Sequence, residues 1–267
     1  MAGLHFRRRY RHFHRRLETR SRRLVRSFAL HMEWLISAWL ALFGLAAGWR
    51  IVTATVPLHG ALDLIALFLP YALAALAPIA GYRITMAAFP PGHLPAATSI
   101  RFARVGSWRR IDALRAHSHP QFGPFGFMAS LLVGMLLNIP VRSIEFLLAV
   151  PAVNTHGPDW AIAIFRLMAL DLVAMNFLYA VVFTMALRTA PLFPRMLLFV
   201  WSIDLLAQLF IARQVAAFDN LPVPVATAME DLLTGNVHKV LISVLVWIPY
   251  LLLSRRVNVT YRNRVEN

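Results

Sequence analysis

Cysteine is absent from the 267 residues, which excludes disulfides, thiolate metal sites, haem attachment through a cysteine pair and thiol nucleophiles. Lysine is almost absent as well: Lys239 stands alone, and the other 26 of 27 cationic side chains are arginine. Asp and Glu number only 12, leaving a formal charge of +15. Charged residues make up 15% of the chain and apolar ones 59%, where a soluble domain holds about a quarter and a half. Such a balance is too apolar for a water-soluble core and reads as a membrane protein. The arginine and alanine bias points to a GC-rich bacterial genome.

Recognised catalytic patterns are missing too. No HExxH, GxSxG, GxGxxG, or GxxxxGK followed by Ser or Thr occurs, so no catalytic residue is assigned and an enzyme ranks behind the other readings. No cofactor is expected. His117 and His119 stand two apart without a third ligand nearby, and no metal site is assigned to them.

What is present is a set of long apolar runs. Crossing a bilayer as a helix takes about 20 apolar residues, and six runs qualify: 34–56, 61–82, 125–150, 160–187, 194–213 and 237–254. Pro70, Pro78, Pro140 and Pro249 fall inside them and predict kinks rather than ends. The fold class expected is all-α, a polytopic bundle of six transmembrane helices. Residues 1–33 form a basic amphipathic arm, and 34–267 form the membrane domain with a basic loop at 83–124.

Loop charges predict the orientation. Ten arginines precede residue 34, six lie in 83–124, two in 188–195 and four in the tail after 254. The alternate connections 57–60 and 151–159 carry no Lys or Arg, and 214–236 carries Asp219, Glu230 and Asp231 without a cation. Arginine-rich connections stay in the cytoplasm, so both termini are expected inside, in a bacterial inner membrane. The charged leader is too long for a cleaved signal peptide, and the first span is read as an anchor.

The arm sets Phe6, Tyr10, Phe13 and Leu17 on one helical stripe among Arg7, Arg8, Arg9, Arg11, Arg15 and Arg16. Aromatics backed by cations predict a helix lying against anionic lipid headgroups. A second surface helix is expected in the long loop, burying Ile100, Trp108 and Ile111 while Arg104, Arg109, Arg110 and Arg115 face phosphates. The lipid bilayer is the expected partner, with a membrane-protein partner or a second copy beside it; no nucleic-acid motif accompanies the basic charge.

Within the spans lie ionisable and amide residues, each costly there unless paired. Asn138, Arg142 and Glu145 share one face of the third span; Arg166, Asp171 and Asn176 lie in the fourth, Asp204 and Gln208 in the fifth. The third and fourth spans are joined by a short loop, so residues at equal depth have numbers adding to a constant. That register predicts three pairs: Arg142 with Asp171, Glu145 with Arg166, and Asn138 with Asn176. Near the outer boundary it predicts Arg50 with Asp63. Asp204 has no cation at its level and is expected to be protonated if buried. Lining a cavity, these residues would serve a permease for a small anionic solute; as interhelical staples, they would serve a non-catalytic accessory or assembly subunit.

The APLFPR turn at 190–195 and the WIPY and SRRV segments at 247–250 and 254–257 resemble a bacterial family of small inner-membrane proteins known only as a domain of unknown function. The resemblance covers about residues 160–261 and implies an inner-membrane location without implying any chemistry.

Overall fold

The computed structural model describes the backbone of residues 2–54, 57, 60–90 and 106–267, with side chains from residue 16 onward. Eight helices and two three-residue strands make up the described chain, and six of the helices are long and apolar enough to cross a membrane. The protein is therefore an all-α, multi-pass helical bundle. The six are α1 (Ala2–Val52), α2 (Ala61–Ala88), α4 (Met128–Ala149), α5 (Asp159–Leu187), α6 (Phe193–Ala216) and α7 (Val223–Leu253).

The expected arm and first span form one helix that is interrupted at His31 (φ −113°, ψ 15°). There the imidazole Nδ1 lies 3.0 Å from Ser27 O, the carbonyl that an unbroken helix would offer to the His31 amide. Among the arm residues expected at headgroups, Arg16 is exposed, while the side chains of Arg7, Arg8, Arg9, Arg11 and Arg15 lie outside the described residues.

Helix α5 is the hub. It packs on α2, α4 and α6, with α1 bridging α2 and α4, and α7 bridging α6 and α4. Its share of buried residues, 61% of the most apolar stretch, exceeds that of any other span, as suits a helix apolar on all sides. The most extensive packing is α2 against α5. Leu67, Tyr71, Ala74, Gly81 and Thr85 form one buried face of α2, and a Cβ at Gly81 would lie 2.5 Å from Phe177 O. Small residues let two backbones meet where lipid offers no hydrophobic driving force between helices. Pro78 lies inside α2, and the Trp39 indole of α1 donates to the nearby Ala75 carbonyl at 2.9 Å.

The last span departs furthest from expectation. Helix α7 begins at Val223, not near 237, because Pro222–Val223–Pro224 places a proline in its first turn, where the missing amide costs nothing. Glu230 and Asp231 thus lie on a helix that hydropathy alone reads as loop.

The basic end also differs. Trp108–Arg110 is not a surface helix but strand β1, followed by α3 (Ala113–His117); Ile100 and Arg104 lie outside the described residues. The strand pairs antiparallel with β2 (Arg264–Glu266), Arg109 opposite Val265, and leaves Arg109 and Arg110 exposed. Ser254 caps α8 (Arg255–Arg262), whose Val257 to Tyr261 are buried, and the Tyr261 hydroxyl donates to Ala186 O at 2.9 Å. Arg256 donates to Gln121 O at 3.2 Å and meets Glu18 at 3.3 Å. Arm, long loop and tail are thereby tied together at one end of the bundle.

Candidate functional site

The polar residues of four spans converge into one hydrogen-bonded chain. Arg142 of α4 donates through Nη1 to Asp171 Oδ2 of α5 at 2.7 Å, and through Nη2 to Asp204 Oδ1 of α6 at 2.5 Å. Tyr179 donates to Asp204 Oδ2 at 2.9 Å, and Gln208 Nε2 to Asp171 Oδ1 at 3.3 Å. From Gln208 the chain crosses to α7, where Asn236 Nδ2 donates to Gln208 Oε1 at 3.2 Å and Lys239 donates to Asn236 Oδ1 at 3.3 Å. Lys239 also forms an ion pair with Glu145. A buried guanidinium is thus sandwiched between two buried carboxylates, and a half-exposed Lys–Glu pair closes the far end.

Burial explains why the pairing is so complete. Arg142 and Asp171 are each 7% exposed and Asp204 is fully buried. A charge at that depth costs several kcal/mol unless its polar atoms are satisfied, and here all four carboxylate oxygens accept a hydrogen bond. With both aspartates ionised, the triad carries one net negative charge.

Arg142 and Asp171 meet as the hairpin register predicts. The other expected pairs do not form. Arg166 is exposed, because it stands five residues from Asp171, about 140° around the helix, and turns away from α4; Glu145 takes Lys239 instead. Asn176 Nδ2 donates to Ser143 Oγ at 3.0 Å, leaving Asn138 half-buried on a cavity wall. At the opposite end Arg50 donates to Val150 O at 2.7 Å, while Asp63 accepts from Thr155 at 2.7 Å and lies 3.2 Å from His156. Asp204, expected to lack a cation, has Arg142: α6 reaches α4 around the hub helix, a contact that hairpin arithmetic does not represent.

Sequence reasoning passed over four members of the network: Ser143, Tyr179, Asn236 and Lys239. For Lys239 a signal existed, since it is the single lysine and falls mid-helix once α7 is extended to Val223. A tyrosine or serine in a span is too ordinary to stand out.

Between α4 and α7, beside the triad, lies a cavity of about 100 Å³. Asn138, Arg142, Tyr179, Asp204, Asn236 and Lys239 supply its polar wall, with Met135, Trp201 and Trp247 among its apolar residues. No group of three or more His, Asp or Glu suited to a metal ion occurs among the described residues. Comparison with protein families, curated proteins and solved structures finds no match to this chain.

Proposed function

We propose that this multi-pass protein is a permease, and that the α4–α7 cavity passes a small cationic solute or a proton. The supporting observation is the charge of the cavity wall. Both terminal nitrogens of Arg142 donate to carboxylates, and Lys239 pairs with Glu145 and donates to Asn236, so each cation on the wall already faces a carboxylate. With both aspartates ionised the triad adds one negative charge beside the cavity, and that arrangement favours a cation over the anionic solute that the arginines suggest in isolation. An ionisable cluster beside a polar cavity is the usual mark of a passage.

Other parts of the reading rest on sequence pattern. The arginine-rich end faces the cytoplasm of a bacterial inner membrane by the loop-charge rule, and anionic lipid headgroups lie against it.

The second reading, an accessory or assembly subunit, is favoured by the saturation of the triad. Fully paired buried charges can fix which helices meet and do nothing more. Proteoliposomes loaded with a pH-sensitive dye and placed under a potassium diffusion potential separate the two. Permeation predicts dye acidification, or uptake of ammonium or potassium, that Asp204→Asn abolishes. Cation-tight vesicles, with a cysteine at Ser243 shielded from impermeant thiol reagents on both sides, would favour the assembly role.

A further inference from the structure

Away from the ion network, the basic end contains a groove of about 780 Å³ walled by α1, the segment before α4, the α5–α6 turn and α8. None of the described residues lining it is a carboxylate. Its lining includes Arg188, His117 and His119 together with the apolar Val25, Leu187 and Phe125.

The polar groups in this groove have donors to spare. Arg188 donates through Nε to Phe89 O at 2.8 Å, and its two terminal nitrogens meet no acceptor among the described residues. His119 Nδ1 accepts from the Gln121 amide at 3.2 Å, so in its neutral form the proton is on Nε2, which has no described partner. His117 is held by its ring, 4.4 Å from that of Phe122. Arg22, by contrast, is committed: it pairs with Glu18 at 3.0 Å and lies over Phe125 at 4.4 Å.

A separate observation concerns the backbone beside Arg188. Thr189 has φ +53°, and its amide and that of Ala190 close α5 by bonding Ala186 O at 3.2 Å and Met185 O at 2.9 Å. Glycine is the ordinary residue at this helix-ending position. A β-branched residue there is strained, and such strain collects at binding sites.

We propose that the groove binds a phosphate group carried by an amphiphile. Arg188 and the Nε2–H of His119 hold the phosphate oxygens, in the manner of guanidinium and imidazole donors generally, and Val25, Leu187 and Phe125 cover the apolar part. A phospholipid headgroup and a soluble phosphate ester share this chemistry.

Thermal unfolding of the full-length protein in a neutral detergent tests the assignment. Phosphatidylglycerol should raise the midpoint where diacylglycerol, which has the acyl chains without the phosphate, does not. Arg188→Gln or His119→Ala should weaken the apparent affinity tenfold or more, whereas Arg166→Gln, an equal charge change on an exposed helix face, should leave it unchanged. The same protection by inorganic phosphate at matched ionic strength, with the same dependence on Arg188, would keep the site and assign it to soluble phosphate. Equal protection by the two lipids, or a loss with Arg166→Gln as large as with Arg188→Gln, would overturn it. Because the lipid comparison uses the wild-type chain, it decides the matter even if a variant fails to fold.

Discussion

At the scale of single residues, Arg142 has the most to lose. Replacing it with Met strands two buried carboxylates, and breaking a buried ion pair in this way costs about 3–5 kcal/mol. The variant should unfold at a markedly lower temperature in detergent. Neutralising the acids as well, in Arg142→Met with Asp171→Asn and Asp204→Asn, should recover most of the loss. A triple variant no more stable than the single one would show that the stranded charge is not the cause. Thr189 predicts the opposite sign. Thr189→Gly relieves the left-handed strain, worth about 1 kcal/mol, and should raise the midpoint. Arg262 is a third case: burial, then the neighbouring guanidiniums of Arg264 and Arg195, push it down to about 10. Since its folded value lies below its unfolded one, the folded state binds fewer protons, and the cost is fully present below pH 10. Stability from this residue returns only as pH rises beyond that. Arg262→Gln should therefore raise the midpoint at pH 7, and a lowered midpoint would count against the charge argument.

At the scale of elements, the contrast between two glycines measures how tightly helices are packed. A Cβ at Gly81 meets the α5 backbone, whereas one at Gly44 meets nothing within 4 Å. Gly81→Ala should destabilise by about 1–3 kcal/mol, as overpacking does, and Gly44→Ala should be neutral or slightly stabilising. Thermal unfolding of the two variants side by side reads this directly; equal midpoints would deny the close α2–α5 approach. Helix α7 has fewer ties. It is held to α4 by Lys239 with Glu145, and to Phe127, the residue just before α4, by the Trp247 ring at 4.8 Å, with the cavity between. Lys239→Ala should let a cysteine at Asn138 react faster with a small thiol reagent, because the cavity mouth loses its crossing pair. An unchanged rate would mean that this pair does not control access.

For the whole molecule, arm, long loop, α5–α6 turn and tail assemble at one end, tied by Arg256 to Gln121 and Glu18, Arg188 to Phe89, and Tyr261 to Ala186. If that end faces the cytoplasm, a fluorescent reporter fused to either terminus should glow and an exported phosphatase should stay inactive; phosphatase activity at either terminus would reverse the orientation. Much of the architecture was legible beforehand. Six helices follow from length and apolarity, because a bilayer demands both of every span, and the Arg142–Asp171 contact follows from the short turn that fixes the relative depth of α4 and α5. The rest was not legible. Depth says nothing of rotation, so Arg166 was matched with Glu145 although it faces outward. Nor does it say which helices that are not consecutive touch, so Arg142 with Asp204 and Lys239 with Glu145 appear only when α6 and α7 close around α5. The sequence by itself determined the number of spans, the clustering of arginine and which residues must find partners, since the cost of an unpaired charge in an apolar medium is local. Only the tertiary structure decided who those partners are, and with them which polar groups line the cavity, because that depends on how six helices are turned and ordered about one hub.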